Sequence, residues 1–242
     1  MMRLYHGGPT AHSASVLIGL AEKGLDFESR FVDLGAFEQH GEAFRAINPA
    51  GQVPVLEVDG RRLTEAFFIL LYLDERFPDP PLGGGDPHRR YAAQKWGKYV
   101  ETHVAPNLAV VGWSMHGRKP DAAARDGFER LTAERRLLWQ QASEGFNDAE
   151  IAAARAAVEK AIDRVADDLE DRPWLAGADY GVADIAVFPH IERARGLGFA
   201  TPSPVANWLG RVAARPKVIE ALGDAGTSRD FATMGPERGR WG

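Results

Sequence analysis

The sequence from residue 48 to residue 63 is Asn48-Pro49-Ala50-Gly51-Gln52-Val53-Pro54-Val55-Leu56-Glu57-Val58-Asp59-Gly60-Arg61-Arg62-Leu63. Its first four residues are typical of a turn, and the segment from Val53 to Val58 favours a strand with a proline inside it. Asp59-Gly60 is a strong signal for a two-residue hairpin turn, because both central positions of such a turn need positive φ. Residues 61–63 are therefore predicted to return beside the first strand.

The residues on either side of this hairpin alternate between strand and helix patterns. A helix is predicted to open at Ser13 and to end at Gly24, because the apolar residues between them are spaced for one buried face. The other predicted elements are strands at Arg3–His6 and Phe27–Asp33 and a helix from about Glu65 to Phe77. The order β-α-β-(short α)-β-β-α predicts an α/β unit with a small mixed sheet of four strands covered by helices.

A proline- and glycine-rich segment, residues 78–87, follows this unit and is the clearest domain boundary of the chain. Beyond it, apolar residues recur with helical spacing over about 88–117, 121–146, 151–169, 182–196 and 204–214. We therefore predict a second, all-α domain in the form of a helical bundle. The predicted organisation is a first domain at 1–80, a linker at 81–87, the helical domain at 88–223 and a C-terminal tail at 224–242.

The composition excludes several classes of protein. The 242 residues are 45% hydrophobic and 26% charged, as in an ordinary globular protein. A formal net charge of −5 argues against a nucleic-acid binder. The longest apolar run, residues 66–73, is far shorter than the roughly 20 residues of a membrane helix. No secretion signal opens the sequence, so we expect a cytoplasmic protein.

The chain contains no cysteine, which excludes disulfides, thiolate metal sites and a cysteine nucleophile. Any sulfur chemistry must therefore use a thiol that a cofactor brings. The seven histidines show no paired spacing of metal ligands, so we expect no metal.

Three short motifs resemble those of glutathione transferases, whose thioredoxin-like glutathione domain precedes an all-helical domain. Residues 48–56 are similar to the turn and strand signature of that family. Glu65-Ala66 stands where the family has an acidic residue and a serine, and Gly181-Val182-Ala183-Asp184 resembles its helix capping box. Two positions depart from the pattern. Ala66 replaces the serine, and Gly181 replaces the capping Ser or Thr, at a cost of only a few tenths of a kcal/mol relative to serine.

Three longer stretches, residues 4–13, 37–40 and 138–146, resemble the bacterial lignin β-aryl etherases of the LigF type within that family. The resemblance runs from about Arg3 to Leu222. It implies that glutathione is a co-substrate whose thiolate displaces a phenolate from an α-keto β-aryl ether, and that the protein is a homodimer. Two alternatives stay open: glutathione transfer to other electrophiles by conjugation, dehalogenation or isomerisation, and non-catalytic binding of glutathione or another ligand.

The implied reaction needs a thiolate, although a free thiol has a pKa of about 8.5. Ser13 is the candidate catalytic residue, because its hydroxyl can donate to the sulfur where the helix dipole also favours an anion. Ser13 can otherwise be a simple N-cap. Tyr5 and Ser15 are rivals, although an aromatic residue near a strand end usually belongs to the core. His12 would polarise the substrate carbonyl or be a solvated loop histidine, and we favour the loop.

The resemblance also implies a set of glutathione-binding residues. An extended peptide can pair with a strand edge, and Val53 would offer its backbone if its bond to Pro54 is cis. Glu65 would pair with the γ-glutamyl ammonium, unless it is only a first-turn acid, and the Ala66 N–H would take the γ-glutamyl carboxylate. Candidates for the glycyl carboxylate and the cysteinyl backbone, or otherwise plain polar residues, are Gln39, His40 and Gln52.

We expect the second substrate between the two domains, where pockets are frequent. Aromatic walls near the end of the first long helix of the second domain would suit a methoxylated phenyl ring. The candidate pocket residues are His12, Asn107, Val111, Trp113, Met115, His116 and Trp139. Some of them must belong to the core, since an apolar stripe at helical spacing is usually core.

Overall fold

The computed structural model of the protein describes residues 2–9, 11–83, 85–116, 128–129 and 131–223, without the side chains of 116, 134 and 135. The predicted tail at 224–242 and the first part of the helix predicted at 121–146 lie outside these residues. Within the described helices, none is both long enough and apolar enough to cross a membrane.

Four strands form one mixed sheet in the order β2-β1-β3-β4. β1 (Arg3–His6) runs parallel to β2 (Glu28–Phe31) and antiparallel to β3 (Val55–Val58), and β3 pairs with β4 (Arg61–Leu63) in a hairpin. The mixed sheet of the first domain is therefore confirmed, and β2 is shorter than its predicted range.

The hairpin between β3 and β4 forms as its sequence predicts. Asp59 and Gly60 have φ of 50° and 73°, the left-handed conformations that a tight hairpin turn requires. Leu56 lies opposite Leu63 across the hairpin. β3 begins two residues later than predicted, because Pro54 has no N–H to donate to the neighbouring strand.

Three helices and a 3-10 turn accompany the sheet: α1 (Ala11–Glu22), the 3-10 turn (Glu38–His40), α2 (Glu42–Arg45) and α3 (Ala66–Arg76). α1 begins two residues before the predicted opening, so Ser13 is its third residue. Apolar side chains of β1, β3, α1 and α3 form the main core of this domain, which contains Leu4, Val16, Leu17, Leu20, Leu56, Ala66, Ile69 and Leu73.

Among the described residues after the linker, seven further helices belong to the helical domain. They are α4 (Pro87–Tyr99), α5 (Ala105–His116), α6 (Ala133–Glu144), α7 (Asp148–Glu170), α8 (Val182–Gly196), α9 (Ser203–Ala213) and α10 (Pro216–Leu222). α10 was not predicted from the sequence, because its 7 residues are too few to show a helical period. Among the described residues after the linker, the only β pairing is an isolated bridge between Trp174 and Gly177. The all-α character of this domain is thus confirmed.

A π-helical segment (Val100–Val104) joins α4 to α5, so the backbone stays helical from residue 87 to residue 116. Such segments often occur near functional sites. Val104, Leu108 and Val111 are at most 1% exposed, and their spacing of four and three residues places them on the side that faces the core. The prediction that Val111 lines the second-substrate pocket is therefore wrong, because that side chain is buried in the hydrophobic core.

The carboxylate of Asp184 ties together the first turn of α8 and two more distant segments. It accepts hydrogen bonds from the backbone N–H of Gly181 at 3.0 Å, the backbone N–H of Leu175 at 3.0 Å and the indole N–H of Trp208 at 2.8 Å. Burial raises the pKa of Asp184 to about 6, although these hydrogen bonds favour the ionised form. The acidic half of the predicted capping box is therefore present.

Close packing against Leu82 explains why a glycine, and not a capping Ser or Thr, stands at position 181. A Cβ atom at this position would lie 2.3 Å from the carbonyl oxygen of Leu82, which accepts the backbone N–H of Val182 at 2.9 Å. A capping serine would therefore push the chain at Leu82 away. The backbone N–H of Leu82 donates to Asp74 Oδ1 at 2.9 Å in α3, so this one residue bonds to both domains. The domain limits at 80 and 88 stay a prediction.

Candidate active site

Ser13 lies in the first turn of α1, beneath the loop that leaves β1. Its side chain is completely buried, and its Oγ accepts the backbone N–H of Gly7 at 3.2 Å. The hydroxyl keeps its own hydrogen for donation to another group. Gly7 leaves room for the Leu34 side chain, since a Cβ at this position would lie 2.5 Å from Leu34 Cδ1. The N-cap interpretation of Ser13 is wrong, because the helix already begins at Ala11.

Both rivals of Ser13 are engaged in structural contacts. The ring of Tyr5 packs edge-on against Phe44 with 6.2 Å between centroids, and its hydroxyl interacts with the Arg3 side chain. The Ser15 hydroxyl donates to the backbone carbonyl of Ala11 at 3.2 Å, inside the helix. Neither hydroxyl shares the contact with the loop after β1 that Ser13 makes.

The turn before β3 is built from local hydrogen bonds. The Asn48 side chain accepts the backbone N–H of Ala50 at 3.1 Å and donates to the carbonyl of Gln52 at 2.8 Å. Gly51 has φ of 62°, and a Cβ atom there would lie 2.9 Å from His40 Nδ1. The glycine therefore lets the turn press against the 3-10 turn that carries His40.

Two backbone features mark the edge where glutathione binding is predicted. The bond between Val53 and Pro54 is cis, and the neighbouring Gln52 side chain is exposed. Glu65 is exposed and has φ of 64° and ψ of 103°, which L side chains rarely adopt, directly before Ala66 opens α3. Such conformations cluster at functional sites, which supports the choice of Glu65 as a binding residue.

Gln39 and His40 are buried, at 5% and 3% exposure, so they are not plain polar residues of a solvated loop. Three rings surround the imidazole of His40: Phe37 at 6.2 Å, Phe128 at 5.9 Å and Trp139 at 5.3 Å between centroids. Gln39 Oε1 is buried and accepts no hydrogen bond from any described residue. That oxygen is therefore available to a ligand donor that reaches it.

These rings belong to an aromatic cluster, which we define as Phe37, His40, Trp113, Phe128 and Trp139. Trp139 stacks on Phe128 at 5.2 Å and packs edge-on against Trp113 at 5.1 Å. The Trp113 indole N–H donates to the carbonyl of Ala142 at 2.5 Å. The cluster thus brings a candidate glutathione residue, His40, together with two candidate pocket residues, Trp113 and Trp139. Phe37 and Phe128 were not predicted as site residues.

Asn107 and Met115, two other pocket candidates of α5, are not members of the aromatic cluster. The Asn107 side chain donates to the carbonyl of His103 at 2.6 Å within the helix. Met115 is 51% exposed near the end of α5. The side chain of His116 lies outside the described residues. Their role in substrate binding stays a prediction.

His12 is the second residue of α1, so the preferred interpretation as a solvated loop histidine is wrong. Its ring meets that of His190 in α8 at 4.8 Å, and its Nδ1 lies 3.6 Å from Glu101 Oε1 in the π segment. His12, Glu101 and His190 line a small cavity, to which Ser15 and Ala66 also contribute. Burial lowers the pKa of His12 to about 4, because the crowded surroundings exclude water although part of the ring is exposed. His12 is therefore neutral at pH 7.

The partners of His12 were not foreseen from the sequence. His190 is 1% exposed, and burial lowers its pKa well below the ordinary value. Its position inside an apolar stretch of α8 is a signal for a buried histidine. No such signal marks Glu101, which approaches His12 only because the two domains pack together.

The sequence and the fold both match known proteins. Residues 1–75 match the glutathione S-transferase N-terminal domain, and residues 148–220 match the glutathione S-transferase C-terminal domain. Protein LigF of Sphingobium sp. strain SYK-6 is 34% identical over 241 residues, which cover 90% of this chain and 92% of that protein. The maleylacetoacetate isomerase of Pseudomonas aeruginosa is 30% identical over 202 residues, 82% of this chain and 84% of that protein.

Solved structures of glutathione transferases share the fold of this chain. The crystal structure of beta-etherase LigF from Sphingobium sp. strain SYK-6 has a TM-score of 0.82 and 31% identity, and covers 92% of this chain and 99% of that chain. A glutathione transferase homologue from Sulfitobacter, solved with bound glutathione, shares the fold at a TM-score of 0.72 and 23% identity, over 94% and 99% of the two chains. By likeness over most of its length, the chain belongs to the glutathione S-transferase family.

Proposed function

We propose that the protein is a glutathione-dependent β-etherase, in which glutathione thiolate displaces a phenolate from an α-keto β-aryl ether of the lignin β-O-4 type. The observation that carries the proposal is the buried hydroxyl of Ser13 in the first turn of α1, bonded to the backbone N–H of Gly7. The likeness to LigF, whose solved structure is described as a beta-etherase, supports the choice of substrate.

Glutathione would lie along the turn and the start of α3. The backbone of Val53, beside the cis bond, would pair with the peptide middle of glutathione. The exposed carboxylate of Glu65 would pair with the γ-glutamyl ammonium, and the N–H of Ala66 would take the γ-glutamyl carboxylate. The glycyl end would reach the amide of Gln39, with His40 and Gln52 beside it.

Ser13 would hold the sulfur in its ionised form. Each unit by which the thiol pKa falls needs about 1.4 kcal/mol of extra stabilisation for the anion. A hydrogen bond donated by the Ser13 hydroxyl to the sulfur supplies part of this energy, and the N–H groups and dipole at the start of α1 supply more. Serine acts as a hydrogen-bond donor in this role and takes no proton.

The reaction is a displacement at the carbon that bears the aryloxy group, next to the ketone. The thiolate forms a carbon–sulfur bond as the carbon–oxygen bond breaks, and the bonding electrons leave with the phenolate. The proton lost by the glutathione thiol balances the one that the phenolate takes up. Because sulfur attacks opposite the leaving group, the carbon inverts, and alignment of the two reactants provides much of the acceleration.

The aromatic cluster would hold an aryl ring of the substrate. Trp139 packs edge-on against Trp113 at 5.1 Å and against Phe37 of the first domain at 5.3 Å. Ring pairs of this kind contribute about 0.5–1.5 kcal/mol each beyond burial. His12 already contacts His190 and Glu101, so we assign it no hydrogen bond to the substrate ketone.

An ether of a fluorescent phenol tests the proposal directly. Purified protein with glutathione and an α-keto β-ether of 4-methylumbelliferone should release the fluorescent phenol together with an equal amount of the glutathione thioether. Reaction of a single enantiomer should give the inverted thioether. Retention or racemisation would exclude direct displacement, and no release with either enantiomer would contradict the assigned substrate.

A second candidate function is glutathione transfer to another electrophile, including isomerisation. The 30% identity to the maleylacetoacetate isomerase of Pseudomonas aeruginosa favours it specifically. Turnover of a chlorinated aromatic or a maleyl substrate without release of phenol would support this function. Thermal stabilisation by glutathione without turnover of any electrophile would instead indicate a non-catalytic binding protein.

We also propose that two copies form a homodimer. Phe68 is 66% exposed on α3, and such a large apolar side chain is a candidate contact between copies. Sedimentation should give a mass near twice the 26.5 kDa of the chain, and Phe68→Glu should shift it towards the monomer.

A further inference from the structure

The short loop that leaves β1 is held at two successive backbone amides. The N–H of Gly7 donates to Ser13 Oγ at 3.2 Å, and the N–H of Gly8 donates to His6 Nδ1 at 3.1 Å. Gly8 has φ of 79°, a left-handed conformation that favours glycine. The loop is therefore fixed to the end of the strand at one amide and to the serine of α1 at the other.

The ring of His6 is itself held in place. It is buried, packs edge-on against Phe31 at 6.2 Å between centroids, and has its Nε2 2.8 Å from Ser29 Oγ in β2. Because Nδ1 accepts the N–H of Gly8, the hydrogen-bond network assigns the ring hydrogen to Nε2, which donates it to Ser29. Burial lowers the pKa of His6 to about 4, so Nδ1 carries no proton at pH 7 and remains an acceptor.

The bond between His6 and Gly8 also sets the direction of the Gly7 amide. It closes a small ring of atoms that contains the peptide bond from His6 to Gly7, much as an aspartate side chain closes an Asx turn. Two successive glycines would otherwise leave this backbone with more conformational freedom than any other residue pair. The imidazole therefore restricts where the Gly7 N–H points.

That N–H in turn determines the orientation of the Ser13 hydroxyl. A serine inside a helix can donate to the carbonyl four residues earlier, as Ser15 does to Ala11 at 3.2 Å. When the Ser13 oxygen accepts the N–H of Gly7, the hydroxyl hydrogen turns away from that amide, because two donor hydrogens repel each other. Acceptance of one hydrogen bond also strengthens the bond that the hydroxyl donates.

We infer that His6 is a positioning residue for the reaction: its ring fixes the Gly7 amide, and this amide holds the Ser13 hydroxyl with its hydrogen free for the glutathione sulfur. The inference rests on the proposed role of Ser13 as the donor to the thiolate. His6 acts only through the loop and donates no hydrogen bond to either reactant.

The pKa of the glutathione thiol in the complex is the first readout, followed by the ultraviolet absorbance of the thiolate as the pH is varied. His6→Phe keeps a ring at this position and removes the acceptor. It should raise the thiol pKa by about 0.5–1 unit and slow phenol release below that pKa by roughly three- to tenfold. KM for glutathione should stay within about threefold, since other groups bind the tripeptide.

Three further variants separate the acceptor from packing. His6→Asn offers an amide oxygen in place of Nδ1, as in an Asx turn, and should restore the thiol pKa of the unaltered protein. His6→Leu also lacks an acceptor but has a smaller side chain, so it repeats the test without overpacking the site. Ser29→Ala is the matched control, because it removes the partner of Nε2 and leaves the bond from Gly8 to Nδ1. The thiol pKa should not change in this control.

A double-mutant cycle tests the route through Ser13. In a Ser13→Ala background, His6→Phe should have no further effect on the thiol pKa or the rate, because no hydroxyl is left to orient. An equal loss in both backgrounds would show a general structural role and overturn the inference. An unchanged thiol pKa in His6→Phe and His6→Leu, or no recovery in His6→Asn, would also overturn it. If Ser13→Ala alone kept the thiol pKa and the rate, the proposed function of Ser13 would fail, and the inference with it.

Discussion

The turn at residues 48–56 and the aromatic cluster form two sides of the candidate site, and they are built in opposite ways. The turn is held by hydrogen bonds that span at most four residues, from the side chain of Asn48 to Gln52. The aromatic cluster joins Phe37 of the first domain to Trp139 of the second, and ring contacts hold it together. Local bonds fix one side, whereas domain packing assembles the other.

This difference corresponds to two functions of the proposed site, namely binding of glutathione and selection of the second substrate. Backbone groups at the turn and at the start of α3 offer a fixed surface that changes little with side-chain identity, which suits a constant co-substrate. Ring contacts depend on the identity of each side chain, so substitutions in the aromatic cluster should alter the choice of second substrate. Substitutions on each side of the site test whether glutathione binding and the choice of second substrate are separable.

Ser13→Ala should have the largest effect, because the thiolate would lose its hydroxyl donor. We expect kcat/KM for phenol release to fall by about 10²–10³-fold, as for the loss of other donors to a reacting anion. Ser15→Ala is the control, since its hydroxyl bonds within the helix to Ala11. Full activity of Ser13→Ala, or an equal loss in both variants, would show that another group holds the sulfur.

Gly51→Ala should damage the turn side of the site. A side chain in the left-handed region costs about 1–2 kcal/mol, and the contact with His40 adds strain, so we expect a loss of about 2–4 kcal/mol in the free energy of unfolding. Glutathione affinity should fall with it. Gly60→Ala is the matched control, because its φ of 73° is similar but a Cβ would meet nothing within 4 Å. Urea unfolding and glutathione titration measure both effects, and equal losses would contradict the contact argument.

Trp139→Leu should act on the aromatic cluster alone. Loss of its ring contacts should raise KM for the aryl ether by about tenfold and leave KM for glutathione within about threefold, if each ring pair contributes about 0.5–1.5 kcal/mol. Leu138→Ala, at an exposed neighbouring position on α6, should change neither constant. A parallel rise of both KM values in Trp139→Leu would show that the two sides are coupled through His40.

The smallest expected effect concerns the junction between the domains. The pKa of His12, about 4, lies below its ordinary value of 6.5. Between these values the folded protein binds fewer protons than the unfolded chain, so the free energy of unfolding falls as the pH falls through this range. In His12→Asn the loss between pH 7 and pH 4.5 should be smaller by about 1 kcal/mol, after allowance for the exposed part of the ring.

Urea unfolding at the two pH values measures this difference. His88→Asn, at an exposed position in the first turn of α4, is the control and should keep the pH dependence of the unaltered protein. If His12→Asn behaved like the control, His12 would contribute nothing to the acid sensitivity of the protein.

Local signals predicted the elements well, because they depend on neighbours in sequence. Asp59-Gly60 gave the hairpin, and the apolar spacing gave the long helices. The helix start at Ser13 was misplaced, because a serine in the first turn can bond to the preceding loop as readily as it can cap. The seven residues of α10 were missed, since so short a helix leaves no period to detect.

The candidate site was predictable only where single residues carry the signal. The prediction of Val111 as a pocket residue failed because one helix presents both a core face and a cleft face, and sequence alone does not assign them. The contact of His12 with His190 joins residues 178 positions apart in sequence, from 12 to 190, and arises only from domain packing. The same holds for Phe128 and His40.

The double attachment of Leu82 has a consequence for how substrates enter. A proline- and glycine-rich stretch suggests a loose tether about which two domains swing. Here any swing at this point must break the bond to Asp74, the bond to Val182, or both. The sheet and the bundle should therefore move as one body. An aromatic substrate would then enter the cleft when side chains there change position, without a movement of one domain relative to the other.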